Sequence, residues 1–157
     1  MSLHRVFVYG TLKRGEPNHH WMTDTSKGFS RLLGVGRTVK KYPLVIATKY
    51  NIPFILDCPG RGHNVIGEVY EVDESMLQHL DILEEHPTFY TRELEQIELC
   101  TDDAGLQSWI YLLKKFKPEM LEMEHFADYS SSGAHGLVYA ERYQRDPSYN
   151  CKQDVVP

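Results

Sequence analysis

Val65-Ile66-Gly67-Glu68-Val69-Tyr70-Glu71-Val72 runs straight into Asp73, and this join of two elements restricts the fold more than any other stretch of the chain. β-Branched and aromatic residues fit a pleated, half-buried surface, so the run predicts a strand. Ile66, Glu68, Tyr70 and Val72 share one face of it, and Val65, Gly67, Val69 and Glu71 the other. Asp73 then has the chemistry of a helix N-cap, Glu74 suits the positive end of the helix dipole, and Pro87 stops a helix expected to reach Glu85. With Leu80 placed at zero, Met76, Leu77 and Leu83 fall within about 60° and define the buried stripe. Glu84 falls at about 40°, inside that stripe, whereas Asp81 at about 100° is on its border and Glu85 at about 140° points away.

Two carboxylates on apolar faces therefore need an account. Glu84, aimed at the core near the helix's C-terminal end, is disfavoured as an anion by desolvation and by the dipole. Its pKa is expected to rise, the tuning that a general acid/base needs near neutral pH. The alternative is that the last turn frays and Glu84 reaches solvent; the helix alone leaves both open. Glu68 is either a structural hydrogen-bonding group or a substrate contact.

A second feature opens the chain. Val6 to Tyr9 predicts a strand that stops at Gly10, with Thr11-Leu12-Lys13-Arg14 and a second glycine, Gly15, behind it. Gly10 permits a backbone conformation that a Cβ would forbid, and close approach of another molecule to the main chain. Backbone N–H groups exposed where a strand stops suit an anion, or a carbonyl oxygen that becomes one. Read alone, the stretch favours a first strand with a tight turn over a functional site, because short glycine motifs recur without function.

The remaining elements are short. Pro17 to Met22 predicts a brief helix; its His19-His20 pair diverges on a helix and has no matching carboxylates, so no metal site is expected. Gly34–Lys41, Pro43–Ala47 and Asn51–Asp57 predict strands, and Pro59–Asn64 a hairpin connection without the Gly-Lys-Ser/Thr ending of a phosphate loop. Phe89–Leu99 and Ser108–Leu113 read as an antiparallel hairpin turning at Asp102–Gly105, and Pro118–Phe126 as a short helix. The end of the chain reads as a loop, then a mobile tail after residue 143, with Tyr129, His135, Tyr139 and Tyr143 either anchoring it over a pocket or packing it down. Six or seven short strands around one good helix imply an α+β fold, a small mixed and curved β-sheet or barrel with few helices, as a single domain over residues 1–157.

A net charge of −5 argues against a nucleic-acid partner. No signal-peptide pattern and no 18-residue apolar run are present, and the three cysteines are odd in number and far apart. A cytoplasmic chain is expected, without a membrane association and without an evident obligate protein partner. Neither a Ser/His/Asp set nor a Cys/His pair stands out. The visible chemistry is one buried carboxylate and one turn of backbone amides.

Tyr9-Gly10-Thr11-Leu12, Gly67-Glu68-Val69-Tyr70, and Leu80-Asp81 with Glu84, Pro87, Tyr90 and Arg92 resemble, in order and spacing, the γ-glutamyl cyclotransferase-like superfamily. Val6 to Gly15 with Asn18-His19, Tyr42 to Ile46, Asn51-Ile52-Pro53 and His135-Gly136-Leu137 are similar to the branch that acts on γ-glutamylamines. The resemblance spans residues 5 to 142, with little of the pattern in Thr101 to Asp128. It implies an enzyme releasing 5-oxoproline from γ-glutamylamines, notably the ε-(γ-glutamyl)-lysine left when transglutaminase-crosslinked protein is degraded. By the same resemblance Glu84 is the catalytic acid/base and Tyr9, Gly10, Thr11 and Leu12 bind the γ-glutamyl group, with no cofactor and no metal. Two other readings stay open: a cyclotransferase for γ-glutamyl-amino acids or glutathione, for whose carboxylate Arg14, Arg61 and Arg92 are candidate cations, and a non-catalytic small-ligand-binding module.

Overall fold

The structure is a computed structural model that describes residues 2–100, 105–133, 135–140, 145 and 151–157. Seven strands carry it: β1 (Leu3–Val8), β2 (Ser30–Tyr42), β3 (Leu44–Ala47), β4 (Ile52–Ile55), β5 (His63–Asp73), β6 (Tyr90–Leu99) and β7 (Gly105–Leu113). Two α-helices accompany them, α1 (His20–Thr23) and α2 (Glu74–Leu83). Five strands close into a barrel in the order β1-β5-β2-β6-β7, and β3 and β4 form a separate hairpin. Every barrel pairing is antiparallel except the closing one, where β7 runs parallel to β1 with Val6 opposite Trp109 and Phe7 opposite Ile110. This is the mixed, curved sheet with few helices that the strand count implied.

The alternation along β5 divides the apolar residues between the two faces of the barrel wall. Val65 and Val69 join Phe7, Ile97, Ile110 and Leu112 in one cluster. Tyr70 and Val72 join Val6, Val8, Tyr111 and Leu113 in another, together with Met76, Leu77 and Leu80 of α2. The helix thus covers the outer face through the stripe its periodicity defined, and the first cluster fills the barrel interior. Gly67 faces that interior where Phe7 lies across it: a Cβ there would sit 2.4 Å from the Val8 carbonyl oxygen and 2.6 Å from the Phe7 ring.

Asp73 caps α2, its side chain accepting a 2.9 Å hydrogen bond from the Met76 N–H. The helix stops at Leu83 with Glu84 as its C-cap, earlier than Glu85, because the backbone turns left-handed at Glu85 (φ 53°). Two expectations are corrected. Pro59–Asn64 is not a hairpin connection: it links β4 of the small hairpin to β5 of the barrel, and β5 pairs with β1 and β2 instead. Pro118–Phe126 yields a shorter, tighter 3₁₀ turn, Pro118–Glu122, that buries Met120.

The Asp102–Ala104 part of the β6–β7 turn, Tyr143, and positions 144 and 146–150 of the expected tail lie outside the described residues. Of that tail, Val155 is buried in the cluster under α2 and its carbonyl accepts from the Lys117 N–H at 2.7 Å. Among the described residues no helix is long and apolar enough to cross a membrane.

Candidate active site

Two segments more than seventy positions apart build one cavity. The first is the end of β1 and the turn after it. Tyr9 is buried, and its hydroxyl donates to the Tyr111 carbonyl at 2.7 Å, which ties the strand end to β7. Gly10 is required by close approach, since a Cβ would meet Pro53 Cγ at 2.9 Å; the left-handed glycine of the segment is Gly15, φ 80°. Asn18 holds Thr11 twice, its backbone N–H donating to the Thr11 carbonyl at 2.8 Å and its Nδ2 to Oγ1 at 3.0 Å. The protonated Nδ1 of His19 donates to the Leu12 carbonyl at 3.0 Å, so this histidine fixes the turn.

Glu68 secures the far end of the turn. Its Oε1 accepts from the Arg14 backbone N–H at 2.9 Å and from the Tyr70 hydroxyl at 3.1 Å, and its Oε2 from Arg14 Nε at 2.8 Å. Burial alone would raise its pKa, yet the hydrogen bonds from the Arg14 side chain, the Arg14 backbone and Tyr70 outweigh it and hold the carboxyl below the ordinary range. Of the two roles open to this carboxylate, these contacts support the structural one: both oxygens are engaged, and Glu68 does not line the cavity.

The second segment is the end of α2 and the turn into β6. Glu84 is half-buried at the C-cap, its N–H still bonded to the Leu80 carbonyl at 2.9 Å. Asp81, one turn earlier, accepts from Arg92 Nε at 2.8 Å and from the Tyr111 hydroxyl at 2.7 Å. The Arg92 guanidinium lies 4.3 Å from the centre of the Trp109 ring, and its backbone N–H donates to His86 Nδ1 at 3.1 Å. Asp81 thereby joins the helix end to β6 and β7 and sets where Glu84 starts. Burial pushes the Tyr9 and Tyr111 phenols far above their ordinary range, and the Glu84 charge pushes both further in the same direction. Both are neutral O–H groups at physiological pH, and both lie within the field of the Glu84 carboxylate.

Tyr9, Gly10, Thr11, Leu12 and Glu84 all line one cavity of about 160 Å³, with Tyr90, Tyr111 and Pro53 among the other residues of its wall. Residues 6–131 match the family described as γ-glutamyl cyclotransferase, AIG2-like. The chain belongs to that family. It is 53% identical over 128 residues to a Drosophila melanogaster protein provisionally named a γ-glutamylcyclotransferase, covering 82% of this chain and 81% of the relative. It is 45% identical over 146 residues to the Mus musculus γ-glutamylaminecyclotransferase, covering 89% of this chain and 98% of the other. The crystal structure of an AIG2-like protein from Mus musculus aligns with a TM-score of 0.88 at 44% identity, over 92% of this chain and 100% of that one.

As a member of the γ-glutamyl cyclotransferase, AIG2-like family, the chain departs from expectation in where its cations stand. Arg14 is paired with Glu68, Arg92 with Asp81, and Arg61 is exposed on the turn before β5; none of the three lines the cavity. Among the described residues the cations that do are Arg145 and Lys152, and nothing in a stretch lacking strand or helix pattern marked them. Tyr139 also lines the cavity, with its hydroxyl accepting from Asn18 Nδ2 at 3.0 Å, while Tyr129 is buried in the barrel interior and His135 Nε2 donates to the Ser130 carbonyl at 2.7 Å. Tyr111 escaped notice as a site residue because the alternation of β7 predicts a buried face without saying that its edge borders a cavity. Among the described residues no cluster of three or more His, Cys, Asp or Glu side chains is placed to hold a metal ion.

Proposed function

We propose that this chain is a γ-glutamylamine cyclotransferase, converting ε-(γ-glutamyl)-lysine and related γ-glutamylamines to 5-oxoproline and the free amine. One observation carries the reading: the half-buried Glu84 opens onto the same cavity as the Tyr9-Gly10-Thr11-Leu12 turn. The name of the mouse relative, 45% identical, supports the same activity.

The substrate brings its own nucleophile. Its α-amino group attacks its γ-carbonyl, the new N–C bond closes a five-membered ring, and the C–N bond to the amine breaks, so proximity supplies much of the acceleration. Two protons leave the α-ammonium nitrogen as the ring closes, and two reach the amine, which departs as an ammonium ion. Glu84 carries them in turn, as base and then as acid. Backbone N–H groups of Gly10 to Leu12 receive the oxyanion or the α-carboxylate, and the Tyr9 and Tyr111 phenols beside them stay neutral. The scheme assigns every transfer to this chain and needs no metal or nucleotide. An engineered cavity of roughly 150 Å³ admits a benzene-sized guest, so this one suits the γ-glutamyl end with the amine outside. Scattered cysteines and a chain without nucleic-acid or membrane features support action in the cytoplasm on a small molecule.

Glu84→Gln keeps the shape and removes the basicity. Folded Glu84→Gln is expected to release 5-oxoproline from γ-glutamyl-lysine about 10²- to 10⁴-fold more slowly than wild type. Release at the wild-type rate would overturn the assignment.

A further inference from the structure

Among the described residues four arginines are matched with carboxylates: Arg14 with Glu68, Arg31 with Glu71, Arg37 with Glu98 and Arg92 with Asp81. Arg145 is placed differently. It lines the cavity that holds Glu84, is half-buried, and has no carboxylate partner among the described residues. Its guanidinium lies 5.0 Å from the centre of the Tyr50 ring and 5.1 Å from that of Tyr139, and its Nε donates to the Ala140 carbonyl at 2.9 Å.

The platform beneath it is tied down. The Ala140 N–H donates to the Tyr50 carbonyl at 3.0 Å, and Asn51 Nδ2 donates to the Val138 carbonyl at 2.8 Å. Tyr139 is in turn bonded to Asn18, which holds Thr11 of the turn. A guanidinium stacked on aromatic faces with its Nε occupied is pre-oriented, and its terminal nitrogens form the fork that matches a carboxylate. Lys152, the other cation of the cavity, is already paired with Glu85 at 2.5 Å.

We infer that Arg145 is the carboxylate-receiving residue of this site and selects substrates by that group. The inference rests on the activity proposed above, whose substrate carries one carboxylate on the γ-glutamyl group and another on the departing lysine. The chemistry is the same for either, and the test separates them.

Arg145→Met keeps an apolar stem over the tyrosine rings and removes the fork; Arg145→Lys restores charge without it. Each full-length variant is compared with wild type on γ-glutamyl-ε-lysine and on γ-glutamyl-cadaverine, which lacks only the lysine carboxylate, and for competitive inhibition by 5-oxoproline. Loss of a charged hydrogen-bonded pair is expected to lower kcat/KM on the lysine conjugate roughly tenfold to a hundredfold, mainly through KM, with Arg145→Lys recovering part of it. A loss confined to the lysine conjugate assigns Arg145 to the leaving group. An equal loss on both conjugates with a parallel weakening of 5-oxoproline assigns it to the γ-glutamyl carboxylate.

No loss, an equal loss on both conjugates with 5-oxoproline binding unchanged, or a Lys variant no better than Met would overturn the inference. Those outcomes leave the proposed activity standing. Absence of 5-oxoproline release from the lysine conjugate by wild type would remove that activity, and this inference with it.

Discussion

Asp81 shows how one side chain sets the geometry of another. It accepts from Arg92 and Tyr111 at once, and all three are on elements that meet at the cavity. Asp81→Asn keeps the volume but replaces a charged acceptor with a neutral amide. Weakening the contacts of a half-buried arginine and a buried tyrosine is expected to cost roughly 1–3 kcal/mol of stability, read from urea unfolding. Because the Glu84 turn hangs from the same knot, kcat for 5-oxoproline release is expected to fall as well, by less than in Glu84→Gln. An Asp81→Asn variant of wild-type stability and activity would show that the knot is dispensable. The sequence places Asp81 at the border of the helix stripe and among the residues of the family resemblance, but its partners are 11 and 30 residues away, and helical periodicity carries no information about them.

At the scale of elements, the loop after β1 is held to β5 by Glu68, and that tie responds to pH. The folded-state pKa of Glu68 is lowered by its Arg14 and Tyr70 hydrogen bonds in spite of burial. Its contribution to stability is therefore fully present above the ordinary glutamate range and is lost as pH falls through that range to the depressed folded value. The unfolding free energy of wild type minus that of Glu68→Gln is expected to be largest above pH ~5 and to shrink as the pH is lowered through about 4. Chemical denaturation of both proteins across that interval measures it; a difference that stays flat would contradict the assignment. The strands themselves were legible from period-two alternation, and α2 from its Asp73 cap and apolar stripe. The hairpin expected at Pro59–Asn64 failed for a physical reason: turn residues signal that the chain reverses, but not which strand it pairs with afterwards.

For the molecule as a whole, closure of the barrel decides what the site is. The parallel contact of β7 with β1 sets Trp109 opposite Val6 and Ile110 opposite Phe7, and so carries Tyr111 to the end of β1, where its carbonyl receives the Tyr9 hydroxyl. No local sequence signal specifies that pairing, because it joins residues about a hundred positions apart. The same holds for Arg145, brought over the cavity by stacking on Tyr50 and Tyr139. By contrast, Tyr9, Gly10, Thr11, Leu12 and Glu84, which the family resemblance brought together and neither the turn nor the helix stripe alone decided, do meet in one cavity. A cavity sized for the γ-glutamyl end, with cations at its wall, makes the leaving group the point where relatives of this fold can differ. The most direct measurement incubates the purified protein with γ-glutamyl-ε-lysine, glutathione and γ-glutamyl-alanine and quantifies 5-oxoproline from each. The account predicts release predominantly from γ-glutamyl-ε-lysine; release from glutathione alone would contradict it.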